Sequence, residues 1–220
     1  MSRSLILKEI ISGEGNIETS LLQLKVILSS IKNKDIQTWI ESELNGYKNV
    51  DDIPDYRVIH GVVRGSCTVY NIVKYKNIAF PVGHLDDKIR KNICSHYIGC
   101  GVAEILEISK LNKDLIGEIA NDYWSLLEEG MNGDIYESYL SINSLSYKTI
   151  LTNIRSKIVD ILLLLEKEFG NLDDFYIDIT QENNNIVNQI YNIMYNKSIA
   201  IGDNNIITKS HLTSVWKLVF

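Results

Sequence analysis

Apolar residues recur at intervals of three and four along the first part of this sequence, which is the spacing of one face of an α-helix. The spacing over residues 21–31, and again over residues 36–44, predicts two short antiparallel helices. Asn45 and Gly46 end the second helix, because glycine adopts the left-handed conformation of a helix terminus without penalty. The longest stretch with this spacing, residues 144–170, predicts a helix about 35–40 Å long that organises the core.

The pattern changes after Pro54, where β-branched and aromatic residues become frequent. Residues 57–64 and 66–73 are rich in valine, isoleucine, tyrosine and threonine, and Gly65 lies between them. We therefore predict a β-hairpin with Gly65 between its strands. Residues 78–82 predict a third strand.

The segment between this sheet and the long helix is less regular. Residues 86–95 predict a helix, because two aspartates favour the positive end of the helix dipole. Residues 97–108 fit either a strand or a helix. Residues 111–126 predict an amphipathic helix closed by Gly130.

The expected fold class is α+β. It combines an N-terminal helical pair, a small mainly antiparallel sheet, a long amphipathic helix and a β-prone C-terminal tail. Residues 1–170 are expected to form this α+β domain, and residues 171–220 an asparagine-rich C-terminal segment.

The C-terminal segment contains two short β-prone stretches, residues 198–201 and 205–208, on either side of a turn-forming cluster. They fit a hairpin packed on the body of the protein. They also fit an exposed edge that pairs with copies of itself, because uncharged strands of asparagine, isoleucine and tyrosine associate readily. The second alternative makes the chain a homo-oligomer through this segment.

The composition and net charge of the chain indicate which kinds of partner it can bind. The chain has 220 residues, 45% of them hydrophobic, and a formal net charge of -6. An acidic chain is repelled by the phosphates of nucleic acids and by anionic membranes, which argues against both as partners. The longest apolar run, residues 161–165, is far shorter than the roughly 20 residues of a membrane span. Lys8 and Glu9 interrupt the apolar N-terminal residues, so we expect a cytoplasmic protein.

No motif for a cofactor or a metal is present. The three cysteines, Cys67, Cys94 and Cys100, have no CxxC spacing, and no two of the four histidines have the spacing of metal ligands. The sequence has no P-loop, GxGxxG, HExxH, GxSxG or EF-hand pattern. We therefore predict neither a cofactor nor a metal site.

Carboxylates are the remaining candidates for catalysis. A metal-dependent nuclease needs several that converge, and Asp55, Glu104 and Glu107 are the candidates here. Glu104 and Glu107 share a face only if their segment is helical. A solvated surface explains these residues more simply, so the sequence favours a protein without an evident active site.

One motif is more distinctive than any catalytic pattern. A tryptophan-containing helix ends in a polar and aromatic run, which a Pro-Asp-Tyr-Arg run follows shortly afterwards. The motif residues are Trp39, Glu43, Leu44, Asn45, Gly46, Tyr47, Pro54, Asp55, Tyr56 and Arg57. In the order and spacing of these residues, and in the predicted helices before and after them, the chain resembles the AbiTii family over residues 4–170.

The residues themselves favour a structural use of this motif. Trp39 and Leu44 fall on the buried side of a helix that Gly46 stops, and Pro54 prevents its continuation. Tyr47 is placed to fold back over the helix. Asp55 is expected to bond to nearby backbone or to pair with Arg57. The motif is thus predicted to form a corner between a helix and a sheet.

The resemblance implies bacterial defence against phage by abortive infection, and it supplies no catalytic residues. The leading hypothesis is a defence protein that acts through binding or self-assembly. The alternatives are a toxic nuclease-type enzyme, whose carboxylates meet only in the fold, and an accessory subunit of a multi-gene defence system. The partner would be a second copy, a neighbouring defence protein or a phage component.

Overall fold

The computed structural model describes residues 3–177, apart from 14, 32 and 112, together with residues 184–195. Within these residues the chain forms helices and antiparallel strands, which confirms the predicted α+β class. The helices are α1 (Leu5–Ser12), α2 (Ile17–Leu28), α3 (Lys34–Asn45), α4 (Asp87–Cys94), α5 (Val102–Ser109), α6 (Trp124–Glu129), α7 (Leu145–Phe169) and α8 (Asn184–Tyr195). The strands are β1 (Val58–His60), β2 (Val62–Val69), β3 (Val73–Ala79), β4 (Ser95–Tyr97), β5 (Leu115–Glu118) and β6 (Gly133–Ile142).

The predicted helical pair is present as α2 and α3. Each begins with an asparagine whose side chain accepts a hydrogen bond from the first turn: Asn16 from the Glu18 N–H and Asn33 from the Ile36 N–H, both at 3.0 Å. These caps satisfy backbone donors that a helix leaves unpaired at its start. The apolar faces of both helices are buried in one core.

The predicted long helix is also confirmed, as the 25-residue α7. Its buried face includes Ile150, Ile154, Ile158 and Leu165, and it packs against α1, α2, α5 and α8. It ends at Gly170, whose φ of 84° lies in the left-handed region that favours glycine. This helix is the central support of the core.

The main sheet has four antiparallel strands in the order β3-β2-β6-β5, and β1 pairs with β4 separately. The hairpin predicted from residues 57–64 and 66–73 is wrong, because Gly65 is not a turn: β2 takes in parts of both stretches, and the hairpin that forms joins β2 to β3. Strand β2 runs through Gly65, where a Cβ atom would lie 2.0 Å from the Glu137 carbonyl oxygen, so this glycine permits a close approach of strands. The turn follows Val69, which pairs with Val73.

Two segments differ from the sequence prediction. The helix predicted over residues 111–126 is wrong, since strand β5, a 3-10 turn and α6 occupy that region. Strand β6, which no pattern indicated, lies between β2 and β5 and pairs with β5 along one side, with Leu115 opposite Ile142. That pairing outweighs the local helical period. The open segment 97–108 becomes the end of β4 followed by α5.

The asparagine-rich segment contains a helix that the sequence analysis did not predict. In α8, Ile186, Ile190 and Met194 recur every fourth residue, and all three are buried against the domain. Residues 198–201 and 205–208, predicted to be β-prone, lie outside the described residues. The division of the chain at residue 170 stays a prediction. Across the described ranges, no helix is both long enough and apolar enough to cross a membrane.

Candidate functional site

The centre of the motif region is an ion pair between Glu43 and Arg57, both of which are fully buried. The Arg57 Nη2 atom donates to Glu43 Oε2 at 2.7 Å, and Nε donates to Oε1 at 3.1 Å. This two-pronged geometry matches the planar guanidinium to the carboxylate. Removing both charges from water costs several kcal/mol per ion, so the pair depends on its geometry and on further hydrogen bonds.

The local sequence brings these two residues together at a sharp corner. Glu43 lies in the last turn of α3, which stops at Gly46. Pro54, with φ of -65°, precedes a 3-10 turn over Asp55–Arg57, and that turn leads directly into β1. The predicted corner between helix and sheet is therefore present. Its ion pair is Arg57 with Glu43, whereas Asp55 is exposed.

Arg57 also holds the loop that precedes α5. Its Nη1 atom donates to the carbonyl oxygens of Ile98 (3.2 Å) and Cys100 (2.7 Å). The loop can approach α3 because glycines face it. A Cβ atom on Gly101 would lie 2.4 Å from the Leu44 oxygen, and one on Gly46 would lie 2.7 Å from the Gly99 oxygen. The sequence offered one signal for this contact, the Gly99-Cys100-Gly101 run, which is too short to identify as a motif.

Two tyrosines complete the bonding of Glu43, and a tryptophan bonds to one of them. The hydroxyls of Tyr47 and Tyr56 each donate to Glu43 Oε1 at 2.6 Å, and the Trp39 indole donates to the Tyr56 hydroxyl at 2.8 Å. The Tyr47 ring lies 5.0 Å from the Arg57 guanidinium carbon, within the range of a cation–π contact. Tyr47 thus folds back over α3 as predicted, and the motif aromatics serve the buried carboxylate.

A second buried cation, Lys157 of α7, joins this network to α8. Its ammonium lies 4.6 Å from the centre of the Tyr56 ring and donates to the Ile193 carbonyl at 2.7 Å. That carbonyl belongs to the last turn of α8, where the helix dipole favours a positive charge. Nothing in the sequence pattern singled out Lys157, because it interrupts the apolar face of a helix that otherwise reads as core.

The pKa values of the residues around Glu43 are shifted by burial and by the charge of its carboxylate. Burial raises the pKa of Tyr47 and Tyr56 far above the ordinary value, and the negative charge of Glu43 raises it further. Burial would lower the pKa of Arg57, but the Glu43 carboxylate outweighs that effect and raises it. Burial lowers the pKa of Lys157, although Glu43 and Asp160 oppose the change. Both tyrosines are therefore neutral donors at any physiological pH.

The remaining motif residues frame this network. Leu44 is partly buried against the core, and the Asn45 side chain donates to Glu41 at 2.9 Å on the helix surface. The motif residues connect α3, the 3-10 turn and the loop before α5, and Lys157 connects this network to α7 and α8. This arrangement holds the Glu43 carboxylate and the cations of Arg57 and Lys157 in fixed positions away from solvent.

The three candidate carboxylates lie elsewhere on the surface. Glu104 and Glu107 sit on one face of α5, and Glu107 pairs with Lys110 at 2.6 Å. Asp55 is exposed at the start of its 3-10 turn. In the part of the chain that the structure describes, no three side chains of histidine, cysteine, aspartate or glutamate are grouped so that they could hold a metal ion.

Replacing Glu43 by alanine is expected to lower the free energy of unfolding by about 3–5 kcal/mol, because Arg57 would stay buried without its counter-charge. Glu41→Ala is the matched control. Glu41 lies on the same helix and pairs with Lys25 in a half-exposed contact, so its loss should cost at most about 1 kcal/mol. Urea unfolding followed by circular dichroism measures both. Equal losses would contradict the central role of Glu43.

The raised pKa values of Tyr47 and Tyr56 predict loss of stability at alkaline pH. A group whose folded pKa exceeds its unfolded value of 10.0 contributes its full stabilisation below that pH and loses it progressively as the pH rises from there towards the folded pKa. Each tyrosine should lower the free energy of unfolding by up to about 1.4 kcal/mol per pH unit above that value. Lys157 acts in the opposite sense, because its folded pKa is lowered.

Urea unfolding between about pH 8 and about pH 11 tests this prediction. The Tyr47→Phe/Tyr56→Phe double variant should lose less stability over this range than the parent, whereas a variant at the exposed Tyr70, Tyr70→Phe, should follow the parent. Parallel curves for parent and double variant would show that these hydroxyls do not control the alkaline transition.

A protein-family model covers the network described above. The AbiTii family model matches residues 4–193, which extends the resemblance seen in the sequence into α8. No curated protein and no solved structure matches the chain. The matched range contains the whole network from Trp39 to the Ile193 carbonyl and far more than half of the 220 residues. The chain therefore belongs to the AbiTii family.

Proposed function

We propose that this protein contributes to abortive infection by binding another macromolecule, and that no enzymatic step of its own is required. Membership of the AbiTii family implies abortive-infection defence against phage. The observation that supports a binding mechanism is the use of the family motif. Its charged and aromatic side chains bond to one another inside the core, so the motif stabilises the fold. Binding to a partner is then left to exposed residues.

The surface of the main sheet supports this proposal. Strand β3 is an edge strand, and its residues 73–77 are exposed on both faces. Tyr70 and Ile72 in the preceding turn are also exposed. Exposed apolar groups beside an unpaired strand edge are typical of surfaces that bind other proteins. The partner of such a surface would be a second copy, a neighbouring defence protein or a phage component, met in the cytoplasm.

Self-association through the C-terminal segment is part of the same proposal. The support is compositional: the two β-prone stretches of residues 198–201 and 205–208 carry no charged side chain. Such stretches pair readily with copies of themselves. An oligomer would present several copies of the binding surface at once.

A nuclease-type enzyme remains the second candidate, and one observation favours it. Glu104 and Glu107 do lie on one exposed face of a helix, which the carboxylate hypothesis requires. Two carboxylates three residues apart can share a divalent cation when substrate phosphates supply the other ligands. The same side chains are also what a solvated helix surface carries.

An infection experiment separates the two mechanisms. Bacteria that express the parent chain, or its Glu104→Gln/Glu107→Gln variant, are challenged with phage and scored for phage yield and survival. Binding predicts that both proteins reduce phage yield equally, because the substituted side chains are exposed and the fold is unaffected. Loss of protection by the variant, or growth arrest without phage that the variant abolishes, would favour the enzyme. No protection by the parent would show that this chain is not sufficient for defence without a further protein.

The oligomer is tested by truncation after Tyr195. Removing α8 as well would strip Ile186, Ile190 and Met194 from the core, so the cut must follow that helix. We expect the full chain to be oligomeric and residues 1–195 to be monomeric by light scattering, with similar melting temperatures. An unchanged molar mass would contradict assembly through residues 196–220.

A further inference from the structure

The exposed residues 73–77 of strand β3, here called the β3 edge, differ in charge from the rest of the chain. The chain has a formal net charge of -6, yet residues 56–85 contain no aspartate or glutamate. Within that stretch, the hairpin of β2 and β3 carries the cations Arg64, Lys74 and Lys76. The hairpin is therefore a positive region on an acidic protein, and it attracts a negatively charged partner.

These three cations are not neutralised by neighbouring carboxylates. Among the residues that the structure describes, no carboxylate lies within 4.0 Å of the charged nitrogens of Arg64, Lys74 or Lys76. Arg64 lies along the β3 edge, because its Nη2 atom donates to the Asn77 carbonyl at 2.6 Å and its Nε atom donates to Asn77 Oδ1 at 2.8 Å. The carboxylates of this sheet belong to β5 and β6, and β2 separates β6 from β3. Their strands are thus about 10 Å or more from β3.

The β3 edge also has room for a further strand. Strand β3 is the last in the order β3-β2-β6-β5, and within the described ranges only β2 pairs with it. Side chains alternate between the two faces of a strand, so Lys74 and Lys76 share one face and Val73 and Tyr75 the other. Val73 is 45% exposed and Tyr75 is 43% exposed. An added strand would therefore meet cations on one face and apolar groups on the other.

Backbone geometry limits the length of this strand. The turn before the β3 edge holds Tyr70 and Asn71 in the left-handed region, with φ of 52° and 55°. Beyond Lys76, Asn77 also has a left-handed φ of 50°, and the register of β3 on β2 shifts at this bulge. An incoming strand therefore meets about four regular residues, 73–76, before the bulge changes the direction of the edge.

A second copy of this chain does not suit the β3 edge. Antiparallel pairing centred on Tyr75, the middle of the exposed stretch, would place each Lys74 opposite a Lys76. Parallel pairing in register would place each lysine opposite its own copy. Like charges directly opposite each other destabilise paired strands, and lysines on edge strands prevent such self-pairing. The occupant must therefore be a different chain that brings negative charge.

We propose that the β3 edge binds an extended, acidic segment of a partner protein, which adds a strand to the main sheet. The backbone of the segment continues the sheet, as in other cases of strand addition. Two of its acidic side chains, two residues apart, lie opposite Lys74 and Lys76, and the apolar side chains between them pack on Val73 and Tyr75. This inference rests on the proposed binding function and names the chemistry of the partner.

The probe is a capped seven-residue peptide in which two glutamates alternate with three valines between terminal threonines. It carries a fluorescent label and is titrated into the full chain by fluorescence anisotropy. Two matched peptides separate the contributions to binding. Glutamines in place of the glutamates remove the charge, and N-methylation of the five central amides removes the backbone donors while keeping the charge.

We expect the glutamate peptide to bind about fivefold more tightly than the glutamine peptide, because it adds two pairs of opposite charges across the strands. The N-methylated peptide should not bind, since it cannot donate hydrogen bonds to the β3 edge. Three results would overturn the proposal: no binding of the glutamate peptide, equal binding of the glutamate and glutamine peptides, or undiminished binding of the N-methylated peptide, which would indicate attraction to any polyanion.

Two double variants show whether the β3 edge is responsible. Lys74→Gln/Lys76→Gln should abolish the preference for glutamate over glutamine. Lys91→Gln/Lys148→Gln removes two exposed lysines from α4 and α7, so it changes the net charge equally and should keep the fivefold preference. Loss of the preference in both variants would show general attraction between charges, and its persistence in the first would exclude this edge.

The titration and the infection experiment test different claims. If the parent chain protects cells but does not bind the glutamate peptide, the proposed function stands and the β3 site is lost. If the peptide binds as expected but Glu104→Gln/Glu107→Gln abolishes protection, the β3 site stands and the binding mechanism of defence is contradicted.

Discussion

The fold depends on a carboxylate and a guanidinium that are both cut off from water. Glu43 and Arg57 are stable inside the core only if each meets the other in good geometry and if their remaining hydrogen-bonding capacity is filled. Two tyrosine hydroxyls and two backbone carbonyls fill it: the tyrosines lie close to Glu43 and Arg57 in the sequence, and the carbonyls belong to a loop 41 and 43 residues beyond Arg57. A misplaced loop or helix would leave a buried charge without a partner, so the network penalises alternative packings strongly.

This constraint explains the role of the motif residues in the fold. Conspicuous glutamate, arginine, tyrosine and tryptophan side chains in a short motif invite a catalytic interpretation. Here they face inward, and their donors and acceptors are used by one another. The proposed binding function falls instead to the surface of the sheet, where β3 is an edge strand.

The sequence predicts those parts of the fold that local periodicity controls. Helices α2, α3 and α7 carry apolar residues at helical spacing with asparagine or glycine at their ends, so both position and type follow from the pattern. Strands β5 and β6 could not be found in this way, because their pairing joins residues far apart in sequence. The prediction of a turn at Gly65 is wrong for a related reason. A glycine that permits two strands to approach cannot be told from a glycine in a turn by its neighbours in the sequence.

The candidate site shows the same division. The corner made by Gly46, Tyr47 and Pro54 is predictable, since each residue acts on the backbone next to it. The partner of Arg57 is not, because Asp55 is nearer in sequence and Glu43 is nearer in the fold. Lys157 gave no sequence signal, since its role depends on the α8 carbonyl that it meets.

The turn at Tyr70 bears on how this protein can be stabilised. An amino acid with a Cβ atom is disfavoured in the left-handed region by about 1–2 kcal/mol, and glycine avoids this cost. Tyr70 recovers little by packing, because most of its ring faces solvent. A selection for thermal stability alone would therefore replace this tyrosine. The hairpin carries an aromatic ring that the fold would be more stable without.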